Sequence, residues 1–484
     1  MLRKLIVRNM KSFESLQDAP LSKITLIYGP NSAGKSSLIQ SLLLLKQTLD
    51  DPDPLRSSLI ARGPLVDLGS FTALIHGHDT SKPLMIGLQY NLVMRAERRV
   101  LGLRLPSKEL RNVEFTFEWH KASEATRQQS VKVQAGEHIN FKFSRQMRKR
   151  SYTRDNPLVL NQRDTFEFAD EDSRMQWTTW LKGEFARIKS QPYTARLGER
   201  KAESEGEISY ESTANIRFGA RGFLPGPVYR WTGKVEESVR GSREEFFFWD
   251  QFTSGWSSEL SALMQSIVYL GPLRRPPERF EIFSGTTRTN VGRTGEFTTE
   301  ILASSRNGGE ILREVNEWLG KLQIPYTVDI RNIGNESIGD AVSLVLRDER
   351  RKLLVSPTDV GFGISQLLPI VVQCLASRNT LICIEQPEIH AHPRLQAVMA
   401  DLLIAACEPP YSNQIIAETH SEHLILRLQR RIREGSLPSA DVSVLYVEPE
   451  EDGSSVVKVL RLDDDGEFLD EWPSGFFEER LSEI

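Results

Sequence analysis

The stretch YGPNSAGKSS places Gly29, Gly34, Lys35 and Ser36 in the spacing G-x-x-x-x-G-K-[ST], between the apolar run ITLIY and the run KSSLIQSLLLLKQTL. Glycines so spaced let backbone N–H groups wrap around phosphate, the lysine supplies a cation for β and γ oxygens, and the adjacent hydroxyl can ligate Mg²⁺. Asn31, Ser32, Ala33 and Ser37 complete the loop, and the helix that Lys35 opens adds the positive end of its dipole. ATP and Mg²⁺ are the ligands this chemistry predicts. A second apolar run, LICIE, ends in Glu385, an acid suited to hold Mg²⁺ directly or through water. The residues after it are Gln386, Pro387 and Glu388. A glutamine can hydrogen-bond an attacking water but cannot take its proton, so hydrolysis is expected to be slow; Glu388, three residues on from Glu385 in the turn, is a candidate substitute base but a poor replacement. Because Pro387 follows, the backbone of Gln386 is expected to be extended and its amide aimed reproducibly, as a γ-phosphate sensor. A third run, IIAETHSEH, sets Thr419, His420 and Ser421 at a strand end, where His420 can reach a γ-phosphate as a switch residue. Upstream, VGFGISQ holds Gly361, Gly363, Ser365 and Gln366 in a glycine-rich turn that opens a helix and presents N–H groups to an anion, that of a neighbouring subunit if it faces phosphate.

These residues need strands and helices to bring them together. ITLIY, LICIE and QIIAE read as buried strands, and the run from Lys35 to about Leu49 is a helix apolar nearly all round, which predicts burial. From about 85 to 260 the texture changes to alternating runs such as VEFTFEWH and INFKFSRQM between charged and glycine-rich stretches, which predicts β structure. Apolar strands and helices return at about 267. The fold class expected is therefore α/β, a P-loop head split by a β-rich insertion. Its parts are an N-terminal part of the head at 1–90, the insertion at 91–265, the remainder of the head at 266–435, and a C-terminal segment at 436–484.

At 484 residues and 39% hydrophobic the chain can bury a full core. Its 61 basic and 65 acidic side chains nearly cancel, so no global field draws it to nucleic acid or an anionic membrane, and any such contact must be local. The run FKFSRQMRKRSYTR, residues 141–154, gathers six basic side chains among aromatics and fits either a DNA contact or a solvated hairpin. Cys374, Cys383 and Cys407 lack paired metal spacing and read as buried thiols of a reducing compartment. No apolar run approaches the roughly 20 residues of a spanning helix, so no membrane contact and a cytoplasmic location are expected. His390, His392, His420 and His423 cluster near Glu385 and Glu388, a composition also open to a metal-dependent phosphoesterase. Arg274, in YLGPLRRPPERF, fits contact with phosphate or the signature turn, and equally a purely structural tie between strands.

The order of LIVRNMKSF, GPNSAGKSS, VGFGISQLLP, CIEQPEIHAHP and ETHSEHLILRL resembles the ABC-type ATPase heads of the Rad50, SMC, RecF and OLD group. The ending GEFLDEWPSGFFEERL is similar to that of the bacterial branch with a C-terminal DUF3696 segment. The resemblance implies two heads that sandwich ATP, and hence at least a homodimer. It makes Lys35 and Ser36 phosphate and Mg²⁺ ligands, Glu385 the Walker B acid, His420 the switch histidine, and Gly361, Gly363, Ser365 and Gln366 the signature facing the other head's nucleotide. VGFGISQ departs from the LSGGQ of transporters. Resemblance to the ATPase subunits of phage-defence systems such as Septu, PARIS and OLD-like pairs implies a nucleotide-dependent switch for a separate effector, a nuclease encoded nearby. The alternative is a DNA-repair or chromosome-associated head.

Overall fold

A strand buried on both faces has no polar alternation, and the apolar runs behave accordingly. In the computed structural model, which describes residues 1–51, 59–91, 110–121, 124–135, 139–147, 162–168, 217–221, 224–229, 255–282, 288–304, 308–334 and 340–473, the strands in chain order begin with β1 (Leu2–Arg8), β2 (Gln17–Pro20), β3 (Ile24–Tyr28) and β4 (Leu84–Tyr90). They continue with β5 (Arg111–His120), β6 (Ala125–Ala135), β7 (Ile139–Met147), β8 (Gln162–Phe168), β9 (Arg217–Arg221) and β10 (Leu224–Tyr229). Then come β11 (Ile267–Leu270), β12 (Glu281–Ile282), β13 (Tyr326–Asn332), β14 (Ala341–Asp348), β15 (Leu354–Val355), β16 (Leu381–Glu385), β17 (Gln414–Glu418), β18 (Val442–Pro449) and β19 (Ser455–Leu460). Every residue of β3, β16 and β17 is buried.

The chain forms two compact units, one of Met1–Leu16 and Leu44–Met264, the other of Gln17–Leu43 and Gln265–Ile484. In the first, β1, β4, β5, β6, β7 and β8 pair in that order, each antiparallel to the next. The burial of β5 alternates over its first seven residues, the period-two signature that marked this region in the sequence. Phe115, Phe117 and Tyr90 are buried, as is Trp256 in the helical stretch 255–265. Two strands of this antiparallel sheet, β1 and β4, lie in residues 1–90, expected to belong to the head; β1 pairs with β4, and β4 with β5.

In the second unit the sheet order is β11-β16-β17-β3-β18-β19, parallel throughout except for β19, which returns as a hairpin from β18. Residues of the C-terminal segment therefore complete the sheet that carries the phosphate loop. A smaller sheet joins β12, β14 and β13 in that order, with β15 on β14. The helices that matter for the site are α1 (Lys35–Asp50), α2 (Phe362–Ala376), α3 (Pro393–Cys407) and α4 (Glu422–Arg433). Most of α1 is buried, as its all-round apolar pattern predicts. The core of this unit packs Leu26, Ile382, Ile384 and Ile415 of the sheet with Val371, Leu403 and Leu428 of the helices. All three cysteines are buried and free, and burial pushes the Cys374 and Cys383 thiols up to about 12. Because β3, β16 and β17 run parallel, their carboxyl ends open on one edge of the sheet, where ligands of open α/β sheets bind. Among the described residues no helix is long and apolar enough to cross a membrane.

Candidate nucleotide-binding site

The loop between β3 and α1 takes backbone shapes that its glycines allow. Gly29 has φ +142°, and a Cβ there would lie 2.3 Å from the Val447 carbonyl oxygen of β18; Gly34 has φ +100°. The Ser37 N–H donates to the Gly34 carbonyl at 2.9 Å, closing the turn into α1. Lys35 is 4% exposed, and its Nζ donates to the carbonyls of Gly29 at 2.9 Å and Pro30 at 2.8 Å. Burial lowers its pKa, opposed by the charges of Glu418 and Glu388. Its ammonium is thus held on the loop's own carbonyls, within the arc that the glycines shape. Asn31 and Ser32 are exposed, Ala33 is buried, and Ser36 is half-buried.

Two acids stand side by side at the sheet edge. β16 and β17 are parallel with Glu385 opposite Glu418, so neighbouring strands end in carboxylates at the same register. The Tyr269 hydroxyl, from β11, donates to Glu385 Oε1 at 2.9 Å. Burial, then the charge of Glu418, lifts the Glu385 carboxyl to about 7, against the pull of the Tyr269 hydrogen bond, Arg293 and Arg274. Burial also raises Glu418, opposed by a hydrogen bond from Ser36 and by the charge of Lys35. Sequence reasoning passed over Glu418 and Tyr269. The signal for Glu418 was present, since IIAE ends as LICIE does.

Gln386 is not extended. Its φ is +46°, because its N–H donates to the Glu418 carbonyl at 2.7 Å and its own carbonyl accepts from Arg274 at 3.1 Å. Two long-range hydrogen bonds outweigh the preference that Pro387 imposes. Arg274 also donates to the carbonyls of Glu385 at 2.9 Å and Pro272 at 3.2 Å, so one guanidinium caps the whole turn after β16. Burial brings its pKa down to about 10 against the attraction of Glu388 and Glu385. Its Nε has no hydrogen-bond partner among the described residues, a cost of about 1–3 kcal/mol for an enclosed donor. The Arg274 backbone is in turn gripped at both ends by the Gln366 side chain, which accepts from its N–H and donates to its carbonyl, each at 3.3 Å. Of the sequence readings for Arg274, the observed contacts are to backbone carbonyls after β16 and to the glycine-rich turn.

Glu388 has both oxygens engaged, accepting from the Thr419 hydroxyl at 2.7 Å and from the His420 N–H at 2.7 Å. It ties the turn after β16 to the end of β17. Burial, then the charge of Lys35, lowers the pKa of His420. Ser421 caps α4 through the Leu424 N–H, and Tyr28 donates to the Ser421 carbonyl at 2.9 Å. His392 is likewise a cap, its Nδ1 accepting from the Arg394 N–H at 3.2 Å. Among the described residues no three His, Cys, Asp or Glu side chains are grouped to hold a metal ion, so the histidine cluster of the sequence does not converge. In the glycine-rich turn Gly361 is exposed at the start of α2, Gly363 and Ser365 are half-buried, and Gln366 is buried, 3% exposed. Lys35, Ser36, Glu385, Glu388 and His420 therefore share one sheet edge with Gln386, while Gln366 reaches it only through Arg274. Arg148, Lys149 and Arg150 of the basic run lie outside the described residues, and Phe141–Met147 lies on or within β7.

No curated protein matches the chain's sequence. Among solved structures the chain is similar to an SMC head bound to the C-winged helix domain of ScpA, 12% identical over 96% of this chain and 98% of that one, with a TM-score of 0.42. It is similar also to the SMC head domain from Thermotoga maritima, at 10% identity over 95% and 99% and a TM-score of 0.38. A third is the Smc head domain with a coiled coil and joint derived from Pyrococcus yayanosii, at 11% identity over 95% and 97% and a TM-score of 0.40. The model of a family of proteins of unknown function, DUF3696, matches residues 437–484. That of the AAA ATPase domain matches residues 1–205 and 300–425, more than half of the chain and the stretches that hold the phosphate loop and the Glu385 turn. The loop that carries Lys35 follows the buried parallel strand β3, and the paired acids stand on β17 beside it and on β16 beyond; with the family model matched over more than half of its length, this chain belongs to the AAA ATPase domain family.

Proposed function

We propose that this protein is an ATP- and Mg²⁺-binding switch that turns nucleotide over slowly, self-associates through its nucleotide site, and passes its state to a separate effector. The observation that carries this reading is the turn after β16. The residue following Glu385 is a carboxamide pinned by two backbone hydrogen bonds, and both oxygens of the next carboxylate, Glu388, are already engaged. Such a turn can sense a bound γ-phosphate but offers no ready base for water. The residues fit the ligands: Lys35 neutralises phosphate oxygens, the loop N–H groups cradle them, and Ser36 and Glu385 supply hard oxygen donors of the kind Mg²⁺ takes. When bound, the metal neutralises charge on the phosphate oxygens. His420, at the end of β17, carries ring nitrogens of the kind that can hydrogen-bond a terminal phosphate.

The effector we propose is a nuclease, and the setting cytoplasmic anti-phage defence. Support comes from the likeness of the motif order to the ATPase subunits of such systems. A DNA-binding chromosome or repair head is the other reading of the same motifs, and it would draw on the basic run at 141–154. The test is threefold on the purified chain: direct titration of ATP, turnover, and mass by light scattering with ATP against ADP. Tight binding, few turnovers per hour, and a mass that doubles or more with ATP are expected. Lys35→Ala should lose both binding and the mass increase. Brisk turnover, or ATP affinity unchanged in Lys35→Ala, defeats the switch reading.

A further inference from the structure

Glu418 lies where a purely structural role does not account for it. It is 5% exposed, its side chain accepts from the Ser36 hydroxyl, and its Oε2 is enclosed with no hydrogen-bond partner among the described residues. An enclosed carboxylate oxygen without a donor is costly, and native proteins keep such groups paired or on a cation. The nearby cation, Lys35, donates to the Gly29 and Pro30 carbonyls instead. Glu385, across the parallel pair, differs in that one of its oxygens is taken by Tyr269. The loop hydroxyl that ligates metal in such sites is therefore bonded to Glu418, the acid of β17.

We infer that Glu418 is a Mg²⁺ ligand in its own right, sharing the ion with Ser36 and Glu385. This rests on the nucleotide-binding reading above and adds to it a third oxygen donor from a different strand. Mg²⁺ favours hard oxygen ligands, and three donors from the phosphate loop, β16 and β17 make a site drawn from three elements. Its consequence lies in the backbone of Glu418. That residue's carbonyl holds the Gln386 N–H, and its chain continues directly into Thr419 and His420. Drawing the Glu418 side chain onto an ion therefore sets the position of both groups that face the terminal phosphate.

The test measures ligand binding without turnover. A fluorescent ATP analogue, mant-ATP, is titrated into the full chain in EDTA and in Mg²⁺, and Mn²⁺ binding is followed by electron paramagnetic resonance with ATP present. In the wild type, metal should tighten mant-ATP at least tenfold. Glu418→Gln keeps an acceptor for Ser36 but removes the charge, so Mn²⁺ affinity should fall tenfold or more. In EDTA its mant-ATP affinity should equal or exceed that of wild type, because a negative charge near the phosphates is gone. Glu418→Asp, with oxygens on a shorter stem, should lose Mn²⁺ affinity several-fold, and it carries the test if the glutamine variant is insoluble. Mn²⁺ affinity within twofold of wild type in whichever variant is soluble overturns the assignment of Glu418 alone. A wild type that binds no mant-ATP in either buffer overturns the nucleotide reading, and this one with it.

Discussion

In the reading proposed above, turnover is slow because the side chain of Gln386 carries a nitrogen in place of the second carboxylate oxygen that could take a proton from water. Restoring that oxygen supplies a general base, worth typically about 10²–10⁴-fold, at a backbone position already fixed from both sides. Gln386→Glu is therefore expected to raise turnover by at least about tenfold, measured as phosphate release under single-turnover conditions. Glu388→Gln should act differently. The glutamine can keep its oxygen on the His420 N–H and turn its amide nitrogen to the Thr419 hydroxyl, which accepts as well as donates, so turnover should change less than in Gln386→Glu. Fast wild-type turnover that Glu388→Gln abolishes would make Glu388 the base. The identity of these groups was legible in the sequence, because residue types at strand ends are local information. Their conformation was not. The left-handed backbone of Gln386 depends on Glu418 and Arg274, and no property of the QPE tripeptide reveals partners so distant in the chain.

At the scale of elements, the sheet edge is braced by one strut. Gln366 on α2 grips the backbone of Arg274, and the Arg274 side chain spans the carbonyls of Pro272, Glu385 and Gln386. A lysine cannot present the same fork, so Arg274→Lys should leave the turn after β16 partly uncapped, and Gln366→Ala should free Arg274 itself. Each is expected to cost about 1–3 kcal/mol, read as a lowered urea midpoint with unchanged slope. A midpoint equal to wild type in both variants would refute the strut. Gly29→Ala tests the middle of the same sheet edge, where the phosphate loop leaves β3. Its Cβ would fall 2.3 Å from the Val447 carbonyl oxygen at a φ of +142°, a contact with backbone that cannot rotate away. Loss of nucleotide binding together with a lower midpoint is expected, and an undiminished midpoint counts against the close packing of β3 and β18. Apolar runs and the buried α1 could be read from sequence because burial on both faces leaves a continuous apolar pattern. The order β16-β17-β3-β18 could not. Which strand lies beside which is decided by pairing across hundreds of residues, and for that reason the alignment of Glu385 with Glu418 went unread.

On the scale of the whole molecule, the proposed self-association through the glycine-rich turn can be tested by substitution at an exposed position of that turn. Gly361 is exposed at the start of α2, with φ −58°, and a Cβ added there meets nothing within 4 Å among the described residues beyond its chain neighbours. Gly361→Glu should therefore fold, keep the wild-type urea midpoint and bind mant-ATP as wild type does, since no contact inside the chain is lost. If the glycine-rich turn faces another copy's nucleotide, a bulky anion at that position repels the phosphates and blocks association. The expected outcome is normal binding with no mass increase on adding ATP. Lys35→Ala should fail for the complementary reason, having a sound turn but an empty loop. Mixing the two variants separates a shared site from a private one. In a mixed pair, the intact loop of the Gly361→Glu chain meets the intact turn of the Lys35→Ala chain, so one complete site forms although neither variant alone can make any. Light scattering of the mixture with ATP should recover assembly in part, up to about half of the sites, whereas each variant alone stays at its ATP-free mass. A Gly361→Glu chain that assembles like wild type would place the self-association surface elsewhere and leave the glycine-rich turn to serve its own chain.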